Sequence, residues 1–93
     1  MEVIMFTMKG CPHCDKLKKI LNENNISFVE KDVDVHEQVY DNFSKAVKSE
    51  YLPAVVIGKQ VFIPERSFKT IEQAGKSIQN YLLEQSHRGN HLS

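Results

Sequence analysis

The alternation of apolar and polar positions divides the first half of the chain into a strand, a helix and a second strand. Residues 3–7 are mostly apolar and β-prone, which predicts a short buried strand. Residues 12–24 carry apolar side chains at helical spacing with lysines on the opposite side, and a group of asparagines marks the end of the helix. Residues 26–33 return to a strand pattern. The first half therefore predicts a βαβ unit, whose two strands pair in parallel.

The second half of the pattern predicts a helix, a hairpin and a final helix. The helix between about residues 34 and 49 has an apolar face made of Val39, Phe43, Ala46 and Val47. Residues 54–57 and residues 61–63 are two apolar runs with a glycine turn between them, which predicts an antiparallel hairpin. Ser67 is a suitable N-cap for a last helix through about Leu83. The order βαβ-α-ββ-α predicts an α/β fold, in which a four-stranded mixed sheet is flanked by three helices.

The composition indicates one small domain without a charged partner surface. We assign residues 1–85 to a single core and residues 86–93 to a polar tail. Twelve basic and twelve acidic side chains cancel, so we expect binding neither to nucleic acid nor to a membrane. No apolar run approaches the ~20 residues of a membrane span, and the N-terminus shows no secretory-signal pattern. We expect a cytoplasmic protein, and we expect it to be a monomer.

The two cysteines of the chain, Cys11 and Cys14, stand at the predicted strand-to-helix junction. Such a pair in a cytosolic setting is typical of dithiol redox chemistry. At a helix N-terminus the unpaired backbone N–H groups and the helix dipole favour a thiolate at Cys11. Cys14 lies about one turn further on, within reach of a mixed disulfide formed at Cys11. Pro12 suits the first helical position, and a protonated His13 would add positive charge beside the thiolate.

Two motifs resemble those of the glutaredoxin family within the thioredoxin fold. The segment at residues 6–14 is similar to the family's strand, loop, Cys-Pro-Tyr-Cys motif and helix. The segment at residues 51–57 is similar to the family's Thr-Val-Pro followed by a strand, in which the proline is cis and faces the dithiol. The resemblance extends to about Leu83. It implies that the bond between Leu52 and Pro53 is cis and that the Leu52 backbone pairs with a bound substrate peptide.

The resemblance also implies the activity of a small protein-disulfide oxidoreductase. Cys11 would attack a protein disulfide or a glutathione mixed disulfide, and Cys14 would resolve the product. A reductase or glutathione would then restore the dithiol, without a bound metal or organic cofactor. Electron donation to a ribonucleotide reductase is a role that glutaredoxin-like proteins often have.

The positions that hold glutathione in the family differ here, which predicts weak use of glutathione. The family's lysine three residues before the first cysteine is Met8, with Lys9 one step later. The family's acidic pair after the fourth strand aligns with Arg66 and Ser67, so a cation stands where the γ-glutamyl amine would be anchored. The sequence leaves open whether Lys9 or Lys16 contacts a substrate carboxylate. The residues that we predict to bind substrate are Lys9, Leu52, Pro53, Arg66 and Ser67.

Three other interpretations of the cysteine pair remain open. Cys11 and Cys14 could join His87 and His91 in a zinc site, because both pairs have ligand spacing, but they are far apart in the chain and we predict no metal site. Cys11 could hold an iron–sulfur cluster shared across a dimer, against which the rigid Pro12 argues mildly. The chain could also be an interaction domain that keeps the fold without redox activity.

Overall fold

The computed structural model describes the backbone of residues 2–92 and the side chains of residues 2–86. Its sheet has the order β2-β1-β3-β4, with β2 parallel to β1 and the other neighbours antiparallel. The prediction of a four-stranded mixed sheet flanked by three helices is confirmed, and this topology is that of the thioredoxin fold. The elements are β1 (Val3–Thr7), α1 (Pro12–Glu23), β2 (Val29–Asp32), α2 (Glu37–Val47), β3 (Ala54–Ile57), β4 (Gln60–Phe62) and α3 (Ile71–Leu92).

Alternation along the strands sends side chains to two clusters, one on each face of the sheet. Strand β1 contributes Val3 and Met5 to one face and Phe6 to the other, and all three are buried. Both faces of β1 are therefore covered by the protein. The larger cluster, with α1 and α3, contains Val3, Met5, Leu17, Leu21, Val55, Ile57, Phe62, Phe68, Ile71, Ala74 and Ile78. The smaller cluster contains Phe6, Ala54 and Ile63, with side chains of α2 packed against it.

The buried face of α2 overlaps only in part with the one that the sequence predicted, because Phe43 and Val47 pack against the smaller cluster as expected. Tyr40 and Phe43 pack against the smaller cluster, whereas Val39 and Ala46, which we had placed on the buried face, are exposed. The ring of Phe6 lies 5.5 Å from that of Tyr40 and 4.8 Å from that of Phe43. An aromatic ring buries a large apolar area even when it carries a hydroxyl, so Tyr40 belongs to the buried face although the predicted face did not include it.

Helix α3 begins later and ends later than predicted. Its N-terminus is closed by Thr70 and Gln73: the Gln73 N–H donates to Thr70 Oγ1 at 3.1 Å, and the Thr70 N–H donates to Gln73 Oε1 at 3.3 Å. This reciprocal pair is a capping box, so the prediction of Ser67 as the N-cap is wrong. The helix continues to Leu92, past residue 85, and the division into a domain and a tail at that residue stays a prediction. Neither α3 nor any other helix among the described residues is long and apolar enough to cross a membrane.

A polar network joins α1, β1 and β2 near the carboxyl end of β1. Buried Thr7 donates its hydroxyl to Glu30 Oε2 at 2.7 Å, and the same oxygen accepts from Lys18 Nζ at 3.0 Å. Lys18 also pairs with Asp15 at 3.4 Å. The hydrogen bonds from Thr7 and Lys18 lower the pKa of Glu30, while partial burial opposes them. The network therefore stabilises the fold more when Glu30 is ionised.

Replacing Glu30 with glutamine is expected to lower the free energy of unfolding by about 1 kcal/mol at pH 7. The value is small because the side chain is 40% exposed and solvent screens its charge. Since the folded pKa lies below the unfolded one, this stabilisation is complete above the ordinary value of 4.5 and is lost as the pH falls through the lower folded value. Urea unfolding at neutral pH and at about pH 3 measures the difference.

The matched control for this change is Glu23→Gln, an exposed carboxylate with no ion pair among the described residues. It should change the free energy of unfolding little at either pH. A loss in Glu30→Gln that stays the same at neutral and acidic pH would show that the charge of Glu30 is not the source of the stabilisation.

Candidate dithiol site and its groove

The two cysteines lie where β1 passes into α1. Cys11 is the N-cap of α1 and Cys14 lies in its first turn, with Pro12 as the first helical residue. The two Sγ atoms are bonded, and the two Cα atoms are 5.2 Å apart. The backbone N–H of Cys14 donates to Cys11 Sγ at 3.2 Å. The same donor, at the positive end of the helix dipole, is placed to stabilise a Cys11 thiolate once the bond is reduced.

The two sulfurs differ in their exposure to solvent. Cys14 is 1% exposed and lies one turn before Leu17, which is fully buried in the larger cluster. Cys11 is partly exposed, and Pro12 and His13 beside it are exposed. A molecule that arrives from solvent therefore meets Cys11 first. Cys14 is covered by the protein on the side away from Cys11, so its chemistry is directed at Cys11.

A groove of about 390 Å³ is lined on one side by His13 of the dithiol motif. Its other walls come from the loop before β3, where Tyr51 is 63% exposed and Leu52 is half-buried, and from the segment between β4 and α3. The bond between Leu52 and Pro53 is cis, as the resemblance predicted, and Pro53 is buried. The apolar lining of the groove includes Leu52, Pro64, Phe68 and Ile71, and its charged lining includes Lys16, Glu65, Lys69 and Glu72.

Two of the four charged side chains that line the groove form an ion pair with each other, and the other two do not. Lys16 Nζ pairs with Glu72 Oε2 at 2.5 Å, and this contact lowers the pKa of Glu72. Glu65 and Lys69 make no ion pair within the part of the chain that the structure describes. Glu65 also has a φ of +73°, a left-handed conformation that residues other than glycine rarely adopt. Backbone strain of this kind is concentrated at functional sites, so Glu65 is a candidate functional residue of the groove.

The residues that we predicted to bind substrate are only partly brought together. Leu52 lines the groove, and Pro53 follows it directly. Lys9 is exposed in the loop before α1 and is not among the lining residues. Ser67 Oγ accepts the Ile63 N–H at 3.1 Å, so its hydroxyl closes the turn after β4. The contact of Lys9 and Ser67 with a substrate stays a prediction.

The guanidinium of Arg66 has partners at the end of α2. Its two terminal nitrogens donate to the carbonyls of Val47 and Lys48, the latter at 2.8 Å. A helix leaves its last carbonyls unpaired, so Arg66 satisfies groups that would otherwise need water. Arg66 is absent from the groove lining. Its predicted role as a cation at the substrate site therefore competes with a structural role, and it stays a prediction.

The glutaredoxin family model matches residues 3–63, a span that contains the dithiol, the cis-proline segment and all four strands. The chain belongs to the glutaredoxin family. This family member is 29% identical over 58 residues to the N-acetyl-S-hydroxy-L-cysteine reductase of Bacillus subtilis (strain 168), and the match covers 62% of each chain. The chain therefore spans less than two thirds of the length of that curated relative.

Two solved structures are similar to this glutaredoxin-family chain. The thioredoxin-like protein BC3987 is 27% identical, with a TM-score of 0.61, and the match covers 68% of this chain and 86% of that one. The glutaredoxin-like NrdH-redoxin from Escherichia coli is 20% identical, with a TM-score of 0.64, and the match covers 78% of this chain and 93% of that one. At the latter identity the likeness concerns the fold alone.

Four charged residues line the groove of this glutaredoxin-family chain, and the sequence had pointed to only one of them, Lys16, as an open candidate for contact with a substrate carboxylate. They are Lys16, Glu65, Lys69 and Glu72. They come from two segments about fifty positions apart in the sequence, and only the packing of α3 against α1 brings them together. The sequence did contain one indication of where Glu72 lies. Thr70 and Gln73 have the spacing of a capping box, and a helix that begins there has Glu72 in its first turn.

No group of three or more His, Cys, Asp or Glu side chains is arranged to hold a metal ion in the part of the chain with described side chains. His87 and His91, which the sequence offered as partners of Cys11 and Cys14 in a zinc site, lie outside the described side chains.

Proposed function

We propose that the chain is a thiol–disulfide oxidoreductase in which Cys11 attacks the substrate and Cys14 resolves the product. The observation that carries this proposal is the asymmetry of the pair. Cys11 is the partly exposed N-cap of α1 and accepts a backbone hydrogen bond, whereas Cys14 is buried and bonded to it. Membership of the glutaredoxin family supports the same activity.

The reaction needs no group beyond the two thiols and an external reductant. The Cys11 thiolate attacks one sulfur of the substrate disulfide, a Cys11–substrate disulfide forms, and the other half of the substrate leaves as a thiolate. Cys14 loses its proton and attacks Cys11 Sγ, which releases the second thiolate and leaves the Cys11–Cys14 disulfide. Two electrons and two protons from a separate dithiol, or from two small thiols, restore the reduced pair.

For the reductant, we propose a reductase or another protein dithiol in preference to glutathione. Glutathione carries two carboxylates and one amine, so a site for it needs several placed charges. Met8 stands where the family has a lysine, and the Arg66 guanidinium is engaged at the end of α2. Loss of one such partner typically costs a few kcal/mol of binding, a factor on the order of 10² in affinity.

Turnover of insulin disulfides and of hydroxyethyl disulfide tests the activity and the reductant together. We expect activity with the unchanged protein, none with Cys11→Ser, and faster turnover with thioredoxin reductase than with glutathione and glutathione reductase. Saturation at sub-millimolar glutathione would overturn the proposed preference but not the activity. Absence of turnover with both reductants would overturn the activity itself. Electron donation to a ribonucleotide reductase is a finer form of the proposal, for which that enzyme's turnover is the assay.

A small oxidised cysteine derivative is a second candidate substrate. The observation that favours it is the size of the groove, about 390 Å³, with Glu65 and Lys69 on its wall, and the Bacillus relative is named as a reductase of such a compound. Cys11 thiolate would attack the sulfenic sulfur, form a mixed disulfide and release hydroxide, which takes up a proton to give water. Cys14 would then resolve the mixed disulfide as above. Consumption of reductant with a small sulfenic acid, compared with a disulfide of the same thiol, measures the preference.

The two remaining interpretations make different observable predictions. A cluster held by Cys11 across a dimer would give visible absorbance in protein purified without oxygen. A domain without redox activity would fail the turnover assay while keeping its fold. The cytoplasmic location and the monomeric state stay predictions, which cell fractionation and analytical ultracentrifugation address.

A further inference from the structure

An ion pair links α1 to α3 at the groove. Lys16 belongs to α1, two residues after Cys14, and Glu72 belongs to the first turn of α3. Their Nζ and Oε2 atoms are 2.5 Å apart, and the side chains are 51% and 64% exposed. Both side chains line the same groove as His13. The pair therefore lies on the exposed wall of a groove that His13 of the dithiol motif also lines.

Lys16 is the lysine of α1 that is placed to contact a substrate. It follows His13 by three residues, so the two share one face of the helix. Its Cα–Cβ bond tilts toward the helix N-terminus, the end of α1 that carries the dithiol motif. Lys18, by contrast, is held by Glu30 and Asp15 outside the groove.

We infer that Lys16 is a specificity-determining residue that binds a carboxylate of the substrate disulfide, and that Glu72 competes for the same ammonium. This inference rests on the proposed oxidoreductase activity. An exposed ion pair contributes little net free energy, so a substrate carboxylate can replace Glu72 at small cost. The substrate class is a disulfide with a negative charge a few bonds from the reacting sulfur. Glu72 keeps the preference for that class low in the unchanged protein.

The test compares three small disulfides of similar size and different charge: cystamine, hydroxyethyl disulfide and dithiodipropionate, which are cationic, neutral and anionic. The readout is the rate constant for reduction of each by the dithiol form of the protein. The informative quantity is the ratio of the anionic to the cationic rate constant. A change in the reactivity of Cys11 alone would alter all three rate constants in the same direction and leave this ratio unchanged.

Removal of the competing carboxylate in Glu72→Gln should raise the ratio about fivefold, and Lys16→Gln should lower it by about the same factor. Both effects should shrink at about 1 M salt. The matched controls are Lys19→Gln, which removes an exposed lysine of α1 outside the groove lining, and Asp41→Asn, which breaks the exposed pair with Lys45 on α2. Each control should leave the ratio within twofold of the unchanged protein.

The outcomes separate this inference from the proposed function. If the unchanged protein reduces the neutral disulfide but Lys16→Gln and Glu72→Gln leave the ratio unchanged, the inference is wrong and the oxidoreductase activity stands. If Lys19→Gln lowers the ratio as much as Lys16→Gln, the effect is one of overall charge and the inference is also wrong. If the neutral disulfide is not reduced at all, the proposed function itself fails.

Discussion

Cys14→Ser is expected to turn the chain into a trap that accumulates a mixed disulfide between Cys11 and its substrate. The partly exposed Cys11 still attacks, because its position at the N-cap and the donor N–H of residue 14 belong to the backbone and survive the change. The hydroxyl that replaces the buried thiol cannot resolve the product. Without glutathione, turnover of a protein disulfide should fall by about 10³-fold or more, and mass spectrometry should show one substrate half per protein.

The control for the trap is Cys11→Ser, which keeps only the buried thiol. It should form no mixed disulfide over the same time, since Cys14 is 1% exposed. In the reduced unchanged protein, iodoacetamide at about pH 6 should label Cys11 well before Cys14, because the thiolate is the reacting form. Equal labelling, or a mixed disulfide on Cys14, would mean that the two roles are assigned to the wrong residues.

The parts of the fold that could be predicted from the sequence are those that depend on the order of apolar and polar residues within a short segment. Strand β1 has an apolar run followed by the Cys11–Cys14 spacing, and residues 54–57 form an apolar run directly after Pro53. Each signal depends on neighbours within a few positions, and the sheet and the junction were found as expected. The cis bond before Pro53 was also found, but that expectation came from the resemblance to the glutaredoxin family.

The parts that could not be predicted depend on contacts between distant segments. A serine hydroxyl can cap a helix, or it can accept a hydrogen bond from a backbone N–H elsewhere in the chain. Ser67 does the latter, because the fold brings the Ile63 N–H next to its hydroxyl. The Arg66 guanidinium is bound by carbonyls nineteen and eighteen positions earlier. The Lys16–Glu72 ion pair could not be predicted for the same reason, because nothing in the sequence near either residue indicates that the two side chains meet.

Gly75→Ala is expected to lower the free energy of unfolding by about 2 kcal/mol, although alanine is the better helix former. Gly75 lies in α3 where it crosses α1, and an added Cβ would stand 2.5 Å from Ile20 Cγ2. No real Cβ contact is that short, so the two helices must separate or Ile20 must move within a packed core. Overpacking of this kind costs about 1–3 kcal/mol, here at the upper end of that range, and the helix propensity of alanine returns only ~1 kcal/mol.

Chemical denaturation of four proteins measures this effect: the unchanged chain, Gly75→Ala, Ile20→Ala and the double variant. Ile20→Ala removes the methyl group that Cβ would meet, at the cost of lost packing in the larger cluster. In that background Gly75→Ala should be neutral or stabilising by up to ~1 kcal/mol, which makes the coupling energy between the two sites about 2–3 kcal/mol. Equal losses in both backgrounds would show that the close approach of Ile20 is not what requires glycine at position 75. The rate of disulfide reduction can be measured on the same four proteins. If it falls in Gly75→Ala but not in the double variant, the spacing between α1 and α3 also sets the shape of the groove beside the dithiol. These two helices carry the groove residues Lys16 and Glu72.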